Sequence, residues 1–226
     1  MPGRTGRRPL SDLETGMTRN SIPPPVVWRL SLYLRELQAQ AGEAVEKISS
    51  RKLAEALQTT DAQVRKDLAC FGQFGQPGVG YRVAELVRRL RQILNTDKVW
   101  PVVVVGAGDM GRALLRHKGF LAKGFKLVAG FDISQKLVGT SVGRVPIRHL
   151  DELPDFVRQG EIRLAVVAVP PGAAQGVCNL LCEAGIQGIL NFAPTSIYAP
   201  AGVTVRQVDL AAQLEQLSFH VGAGAQ

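Results

Sequence analysis

The chain has 226 residues, of which 46% are hydrophobic and 20% are charged, so it is a folded globular protein and not a disordered tail. Three cysteines, an odd number in a long chain, exclude a disulfide framework. The three histidines, at positions 117, 149 and 220, lack the spacing of metal ligands, and we expect no metal site. Prolines interrupt the longest uncharged stretch, Leu164–Leu181, so we expect no membrane-spanning helix.

Basic residues are concentrated in the first part of the chain. Residues 1–98 hold 16 Lys and Arg against 10 Asp and Glu, a net charge of +6, whereas residues 99–226 have a net charge of +2. This imbalance favours two modules, the first of which could bind a polyanion. Residues 1–21 are basic and have no apolar core, so we expect a disordered arm rather than a secretory signal, and a cytoplasmic protein.

Three helices are predicted after this arm. Apolar residues at helical spacing predict an amphipathic helix over 25–41. Ser49 or Ser50 can cap a second helix, and Thr60 can cap a third, with Gln63 as its reciprocal partner in a capping box. Two short helices joined by a tight turn form a helix-turn-helix.

The third helix has a small and basic outer face. Val64, Leu68 and Phe71 lie on one side of it, which places Lys66 on the opposite side with Arg65 on a flank. Small residues allow a helix to approach a major groove closely, while Arg, Lys and Gln reach base edges and phosphates. The alternative is an ordinary solvent-exposed helix.

Four glycines and a proline between Gly72 and Arg82 predict a β-hairpin, which would complete a winged helix. A glycine-rich nucleotide loop is the rival interpretation, but no P-loop lysine follows. The predicted DNA contacts are Ser50, Arg51, Gln63, Arg65, Lys66, Gln76, Tyr81 and Arg82.

A dinucleotide fingerprint opens the second module. The predicted strand Pro101–Val105 leads into G-x-G-x-x-G at Gly106–Gly111 and then into the predicted helix Arg112–Lys118. A second strand, Leu127–Phe131, ends in Asp132, near the expected offset for a carboxylate that binds the adenosine ribose. That carboxylate would repel a 2′-phosphate and so favours NAD over NADP. A purely structural glycine turn is the alternative.

The remaining pattern continues the alternation of strands and helices. Strands are predicted at Leu164–Val169 and Ile189–Phe192, with a helix at Ala173–Ala184 between them and an edge strand at Val203–Val208. This pattern predicts a doubly wound parallel sheet, whose ligands bind at the carboxyl ends of strands. The predicted cofactor contacts are Gly106, Ala107, Gly108, Asp109, Met110, Gly111, Asp132, Val169, Pro170, Asn191, Phe192, Ala193 and Pro194.

Two features near the carboxyl end remain open to alternatives. An amphipathic helix is predicted over Asp209–His220, and it could cover its own domain or reach a partner subunit. Cys178 and Cys182 lie four residues apart on a helix face, where buried small residues are favoured over a thiol switch.

Motifs in both modules resemble one family. V-R-K-D at Val64–Asp67, F-G-x-F-G-x-x-G-x-G-Y at Phe71–Tyr81 and N-F-A-P at Asn191–Pro194 closely resemble the Rex family of bacterial redox-sensing transcriptional repressors. The resemblance implies an α/β protein with a winged-helix DNA-binding domain over 22–98, a Rossmann-type NAD(H)-binding domain over 99–208 and a C-terminal dimerisation helix and tail over 209–226.

The resemblance also implies a function. A homodimer binds double-stranded operator DNA when NADH is scarce and leaves it when NADH binds. The last helix is swapped into the partner, and an aspartate at its start is coupled to an arginine of the first helix, here Asp209 and Arg29. His117 stands where the family often has a tyrosine near the nicotinamide.

Two rival functions are less well supported. An NAD-dependent dehydrogenase needs an acid or base and a substrate pocket, but little chain remains to build one and no Tyr-x-x-x-Lys or His-Asp pair is present. A CoA- or nucleotide-binding accessory domain would not explain the basic wing. We therefore expect no catalytic residue.

Overall fold

The computed structural model describes residues 22–42, 45–72, 74 and 80–223. Contacts within the chain divide it into two compact units, of which the first ends at Asp97 and the second begins at Lys98. The predicted arm and the tip of the predicted wing lie outside the described residues. Each unit has its own hydrophobic core.

Four helices and two short strands form the described part of the first unit. They are α1 (Pro24–Gly42), β1 (Lys47–Ile48), α2 (Ser50–Ala56), α3 (Asp61–Ala69), β2 (Tyr81–Arg82) and α4 (Val83–Ile93). The Ser49 side chain accepts a hydrogen bond from the backbone N–H of Lys52, and the Thr60 side chain accepts one from that of Gln63. These bonds satisfy donors that a first helical turn leaves free and confirm the two predicted helix starts.

The apolar sides of these helices form the core of the first unit. The side chains that are at most 2% exposed include Leu30, Tyr33 and Leu37 of α1, Leu53 of α2, Val64 and Leu68 of α3, and Leu86 and Leu90 of α4. The buried residues of α1 and α3 are therefore those that the helical periodicity of the sequence placed on one face. Helix α4 begins directly after β2. No predicted element covers it.

The predicted hairpin lies largely outside the described residues and stays a prediction. Its described end, β2, pairs antiparallel with β1, a strand before α2 that the sequence pattern did not predict. Gly80 has a φ of +78°, and a Cβ there would lie 2.6 Å from the carbonyl oxygen of Ile48. The two strands therefore approach closely through a glycine. Two-residue strands are too short to show an alternating pattern in the sequence.

Within residues 98–223 the second unit is a seven-stranded sheet with helices on its faces. Its elements are β3 (Trp100–Val105), α5 (Asp109–Arg116), α6 (Gly119–Ala122), β4 (Phe125–Asp132), β5 (Ser141–Val142), β6 (Val145–His149), α7 (Leu153–Gln159), β7 (Leu164–Val167), α8 (Pro171–Ala184), β8 (Gly188–Asn191), β9 (Thr204–Gln207) and α9 (Leu210–Ala223). The strand order is β5-β6-β4-β3-β7-β8-β9, and only β5 and β6 pair antiparallel within it. The predicted doubly wound sheet is confirmed.

Strands β5 and β6 are additions to the predicted sheet. The sequence pattern does not predict them, because β5 has two residues and because Pro146, Arg148 and His149 interrupt the apolar pattern of β6. Helix α7 follows β6 after a short 3₁₀ turn and was missed with it.

The two faces of the sheet are covered unequally. Helices α7 and α8 pack on one face, over Val103, Val105 and Val167. On the other face, Leu115 of α5 packs with Val104. An apolar groove of about 510 Å³ remains on the sheet, lined by residues that include Trp100, Val102, Phe125, Leu127, Val166 and Leu190.

A substitution at Gly111 tests how tightly α5 packs on the preceding turn. A Cβ at Gly111 would lie 1.8 Å from the carbonyl oxygen of Gly106, a backbone atom that no rotamer change can move. We expect Gly111→Ala to lower the free energy of unfolding of the second unit by about 3 kcal/mol. A Cβ at Gly108 meets no atom within 4 Å, so Gly108→Ala is the matched control. Equal stability of the two variants in thermal unfolding would contradict the packing described here.

Candidate functional site

The glycine-rich turn between β3 and α5 has a separate requirement at each glycine. Gly106 has a φ of +94°, and a Cβ there would lie 2.4 Å from the carbonyl oxygen of Ala168. Gly111 allows α5 to contact the turn, whereas Gly108 faces open space. The first and third glycines are therefore required by the fold, and the second leaves room for a ligand to approach the backbone.

The amino terminus of α5 suits a negatively charged group. Gly108 is its N-cap and provides no side chain to cap the first turn, so backbone N–H groups there remain available. The helix dipole adds partial positive charge at the same place. Asp109 and Met110 are exposed beside this turn. These features fit the diphosphate of a dinucleotide.

Asp132 lies beside the same turn. Its Oδ2 accepts a hydrogen bond from the backbone N–H of Ala107 at 2.7 Å, and its Oδ1 accepts one from that of Ser134 at 2.8 Å. An ionised carboxylate has about four acceptor positions, so two remain for ligand hydroxyl groups. The structure thus brings together the turn and the carboxylate that the sequence analysis assigned to one site.

Hydrogen bonds between neighbouring strands align the other predicted cofactor contacts at the same edge. Gly106 N–H donates to the carbonyl oxygen of Phe131, Ala168 N–H to that of Val105, and Phe192 N–H to that of Val167. Because these strands are parallel, their carboxyl ends meet at one edge of the sheet. Val169 and Pro170 follow β7 there, and Phe192, Ala193 and Pro194 follow β8.

Asn191 has a structural role in addition to the cofactor contact predicted for it, which stays a prediction. It is fully buried, and its Oδ1 accepts a hydrogen bond from Ala193 N–H at 3.0 Å. Its Nδ2 donates to Gln207 Oε1 at 2.7 Å and to Thr195 O at 2.8 Å. Gln207 Nε2 in turn donates to Ala193 O at 2.7 Å. The Asn191 amide therefore holds the loop after β8 in place, because both of its ends bind protein atoms.

Three further side chains of the second unit were singled out in the sequence. His117 is exposed after α5, with its ring edge-to-face against Phe120 at 5.0 Å between centroids. Cys178 is buried, and burial, with a smaller effect of Cys182, raises the pKa of its thiol to about 11. A high pKa disfavours the reactive thiolate, which agrees with the preferred interpretation of a buried small residue.

The predicted DNA contacts divide into free and paired side chains. Lys66 and Arg82 are exposed, and Tyr81 is half-buried. Arg65 Nη1 donates to Asp61 Oδ2 at 2.6 Å and to Ser50 Oγ at 3.2 Å. Arg51, another predicted contact, donates from Nε to Glu55 Oε1 at 3.0 Å, and Gln76 lies outside the described residues.

A buried carboxylate links α1 to α3, and the sequence analysis did not assign it a structural role. Asp67 is 1% exposed. It accepts hydrogen bonds from Arg29 Nε at 2.5 Å, Arg29 Nη2 at 2.7 Å, Tyr33 Oη at 2.7 Å and Gln63 Nε2 at 2.7 Å. The signal was available in the sequence, because Asp67 falls on the same helix face as Val64 and can meet a partner only inside the unit.

One prediction changes because of this cluster, and the coupling of Arg29 with Asp209 stays a prediction. The Gln63 side chain is directed to Asp67 and does not complete the predicted capping box with Thr60. Arg29, which the family resemblance couples to Asp209, has its ion-pair partner in its own unit. The Asp209 carboxylate accepts a hydrogen bond from the backbone N–H of Ala212 at 3.0 Å, at the start of α9.

The environment of Asp67 determines its charge state. Burial alone would raise the pKa of the Asp67 carboxyl, but hydrogen bonds from Arg29, Tyr33 and Gln63 outweigh burial and lower it. The hydrogen bond to Asp67 raises the pKa of Arg29 despite partial burial. Burial, followed by the hydrogen bond to Asp67, raises the pKa of Tyr33. The cluster therefore holds an ionised carboxylate at neutral pH.

The apolar side chains of α9 are exposed. Leu214, Leu217 and Val221 recur at helical spacing on one face and are 60–75% exposed. Such a stripe on the last helix is more than scattered surface apolar residues and marks an interaction surface.

Neither a metal site nor a membrane-spanning helix is found in the part of the chain that the structure describes. No three His, Cys, Asp or Glu side chains there are grouped so that they could hold a metal ion. In the same residues no helix is both long enough and apolar enough to cross a membrane.

These features define a winged-helix protein whose second unit carries a Rossmann-type dinucleotide site. Residues 21–69 match the family model "Putative DNA-binding protein N-terminus", and residues 97–195 match that of the "CoA binding domain". The second of these matches covers strands β3 to β8 of the sheet.

Similar proteins identify the family. The redox-sensing transcriptional repressor Rex of Syntrophobacter fumaroxidans is 41% identical over 90% of this chain and 98% of its own length. Rex of Streptomyces coelicolor is 43% identical over 88% of this chain and 77% of its own length. The chain belongs to the Rex family of redox-sensing transcriptional repressors.

Solved structures of similar proteins agree. RSP in complex with β-NAD⁺ and operator DNA is 34% identical, has a TM-score of 0.86 and covers 90% of this chain and 94% of its own. RSP, described as a Rex-family repressor, was also solved in complex with β-NADH, with a TM-score of 0.82, 32% identity and coverage of 90% of this chain and 95% of its own.

Removal of the Asp67 carboxylate tests the buried cluster. Asp67→Ala leaves Arg29, Tyr33 and Gln63 without their shared acceptor, and we expect the free energy of unfolding of the first unit to fall by about 3 kcal/mol. Because folding lowers the pKa of Asp67, its contribution is present above the ordinary carboxyl pKa of about 4 and is lost as the pH falls through the lower folded value.

Chemical denaturation at several pH values measures both effects. Wild type should lose stability below about pH 4 more steeply than Asp67→Asn, which has no carboxyl to titrate at this position. Equal stability of wild type and Asp67→Ala at pH 7 would contradict a stabilising role for the cluster.

Proposed function

We propose that this protein is a transcriptional repressor that binds operator DNA when NADH is low and is released from it when NADH binds the second unit. The observation that carries the proposal is the presence, in one chain of the Rex family, of a winged helix and of a glycine turn with an open position at Gly108 beside Asp132. RSP, which is similar over 90% of this chain, was solved with both operator DNA and β-NAD⁺.

The first unit binds DNA through α3. Lys66 is exposed with the small residues Ala62 and Ala69, which allow the helix to lie close to a groove floor. The Arg65 side chain reaches from α3 to Ser50 of α2 and is positioned for a phosphate or a base edge. The other proposed contacts are Ser50, Arg51, Gln63, Gln76, Tyr81 and Arg82.

The second unit binds the dinucleotide at the carboxyl edge of its sheet. Gly106–Gly111 receive the diphosphate, and Asp132 accepts ribose hydroxyl groups. Val169, Pro170 and the loop Phe192–Pro194 lie where the nicotinamide half would extend. The nicotinamide, when bound, supplies a redox state that can be sensed. The chain is a regulator rather than an enzyme, as the names of its relatives indicate.

Release of DNA requires coupling between the two units. NADH can lower the affinity for DNA only if it favours a dimer geometry that DNA does not, and linkage then requires DNA to weaken NADH binding by the same factor. Two recognition helices fit successive major grooves only at a separation of about 34–36 Å or a multiple of it, so a modest rotation is sufficient. Arg29 and Asp209 are the proposed coupling residues.

A second copy of the chain covers the exposed apolar surfaces. The stripe on α9 and the groove on the sheet both lack an apolar partner in the described residues. Burial of a leucine stabilises by about 2 kcal/mol, so two copies of α9 supply a substantial part of a dimer interface. We place this homodimer in the bacterial cytoplasm, where the chromosome is.

Titration of DNA at several NADH concentrations tests the function. We expect NADH to raise the apparent dissociation constant for a selected duplex by about 5- to 150-fold, and DNA to weaken NADH by the same factor. NADPH should act less well, because the Asp132 carboxylate repels a 2′-phosphate. Unchanged DNA affinity at saturating NADH would contradict the proposal.

The DNA surface is tested in the same assay. Lys66→Ala should weaken DNA binding and lower the slope of log affinity against log salt by about one unit, with NADH affinity unchanged. Lys136→Ala removes an exposed lysine from the second unit and is the matched control.

A charge placed on α9 tests the dimer. Leu214→Glu puts a carboxylate into the apolar stripe, whereas Gln216→Glu adds the same charge at an exposed position on the other side of the helix. We expect sedimentation to show a monomer for Leu214→Glu and a dimer for Gln216→Glu. A Leu214→Glu protein that remains dimeric would show that α9 does not form the interface.

A further inference from the structure

The Gln63 amide has a fixed orientation in the first turn of α3. It is half-buried, and its Nε2 donates to Asp67 Oδ1 at 2.7 Å. The nitrogen and oxygen ends of a glutamine amide are nearly alike in shape, so their assignment must follow from the hydrogen-bond partners. Here the partner decides the orientation, because an ionised carboxylate only accepts hydrogen bonds.

The carboxylate that holds Gln63 is itself held from α1. Arg29 binds both oxygens of Asp67, and Tyr33 donates to Oδ2. Rotation of the Gln63 amide by half a turn would replace a hydrogen bond by a contact between two oxygen atoms beside a carboxylate that is 1% exposed. The amide nitrogen therefore faces Asp67, which three further hydrogen bonds join to α1.

The carbonyl oxygen of Gln63 remains for another partner. Within the residues that the structure describes, no hydrogen-bond donor is bound to Gln63 Oε1, and this atom is not buried without access to solvent. Its neighbours Ala62 and Lys66 are exposed. Side chains near the amino terminus of a recognition helix are those that contact base edges.

We propose that Gln63 determines operator specificity by accepting, at Oε1, a hydrogen bond from the exocyclic amino group of a base, with Asp67 as the residue that positions it. Such amino groups are N6 of adenine and N4 of cytosine, whereas guanine O6 and thymine O4 are acceptors and cannot satisfy Oε1. This inference rests on the proposed function, in which α3 enters the major groove.

The test uses DNA bases that lack one amino group. A duplex is first selected from a randomised pool with wild-type protein. Purine then replaces each adenine, and 2-pyrimidinone each cytosine, one position at a time. At one position in each half-site we expect wild type to lose about 3- to 15-fold in affinity, as the loss of one hydrogen bond predicts, and Gln63→Met to lose almost none. The arm that shows the loss identifies the base as adenine or cytosine.

Asp67→Asn tests the positioning role. An asparagine can donate to Gln63 Oε1 as well as accept from Nε2, so the amide loses its preferred orientation. We expect the discrimination at that base to fall, while affinity for non-specific DNA, NADH affinity and the circular dichroism spectrum stay as in wild type. A purely structural role would lower the unfolding temperature without changing discrimination between bases, and that result would overturn the role assigned to Asp67.

Two other outcomes would overturn the assignment of Gln63. The first is that no position shows an amino-group effect that depends on Gln63. The second is a loss that depends on Gln63 with 7-deazapurines, which lack the N7 acceptor, because the amide would then act as a donor. A wild-type protein that selects no duplex would instead refute the proposed function itself, and the experiment therefore separates the two failures.

Discussion

The first unit depends on one buried negative charge. Asp67 accepts four hydrogen bonds from three side chains on two helices, and no other contact described here ties α1 to α3 through polar groups. Apolar packing alone fixes the distance between two helices more firmly than their rotation, because Leu and Val side chains can slide over one another. Hydrogen bonds are directional, so this carboxylate adds an orienting link between α1 and α3 and fixes the direction of the Gln63 side chain. One side chain of the proposed DNA-binding surface is therefore oriented from inside the domain.

The second unit depends on close backbone contacts at two glycines. Gly106 and Gly111 bring a turn, a strand and a helix closer than any side chain allows, and the resulting turn leaves an open position only at Gly108. Asp132 closes the arrangement by binding the turn through Ala107 N–H. A sensor that must respond to a small molecule thus has a rigid binding edge, and changes on binding must be passed to other parts of the chain.

Sequence patterns predicted elements better than they predicted partners. The apolar periodicity of α1 and α3, the fingerprint after β3 and the edge strand β9 are local signals, and each was read correctly. The partner of β2 was missed because β1 lies more than thirty residues earlier. Gln63 was assigned to a capping box because that motif is local, whereas its real partner, Asp67, is selected by burial and by Arg29 across the core. The partners of Asn191 were missed for the same reason, because Gln207, which bonds to it, lies on a later strand and not among its neighbours in the sequence.

The amide pair formed by Asn191 and Gln207 has a mechanical consequence. Gln207 is the last residue of β9 and lies two residues before Asp209, where α9 is about to begin. Its side chain donates a hydrogen bond to the carbonyl oxygen of Ala193, in the loop at the ligand-binding edge of the sheet. A displacement of that carbonyl must either break this hydrogen bond or move the end of β9 with it. Hydrogen bonds of two amide side chains therefore connect the start of α9 to this loop. A small movement at the ligand-binding edge of the sheet is passed through them to a helix about 20 Å long.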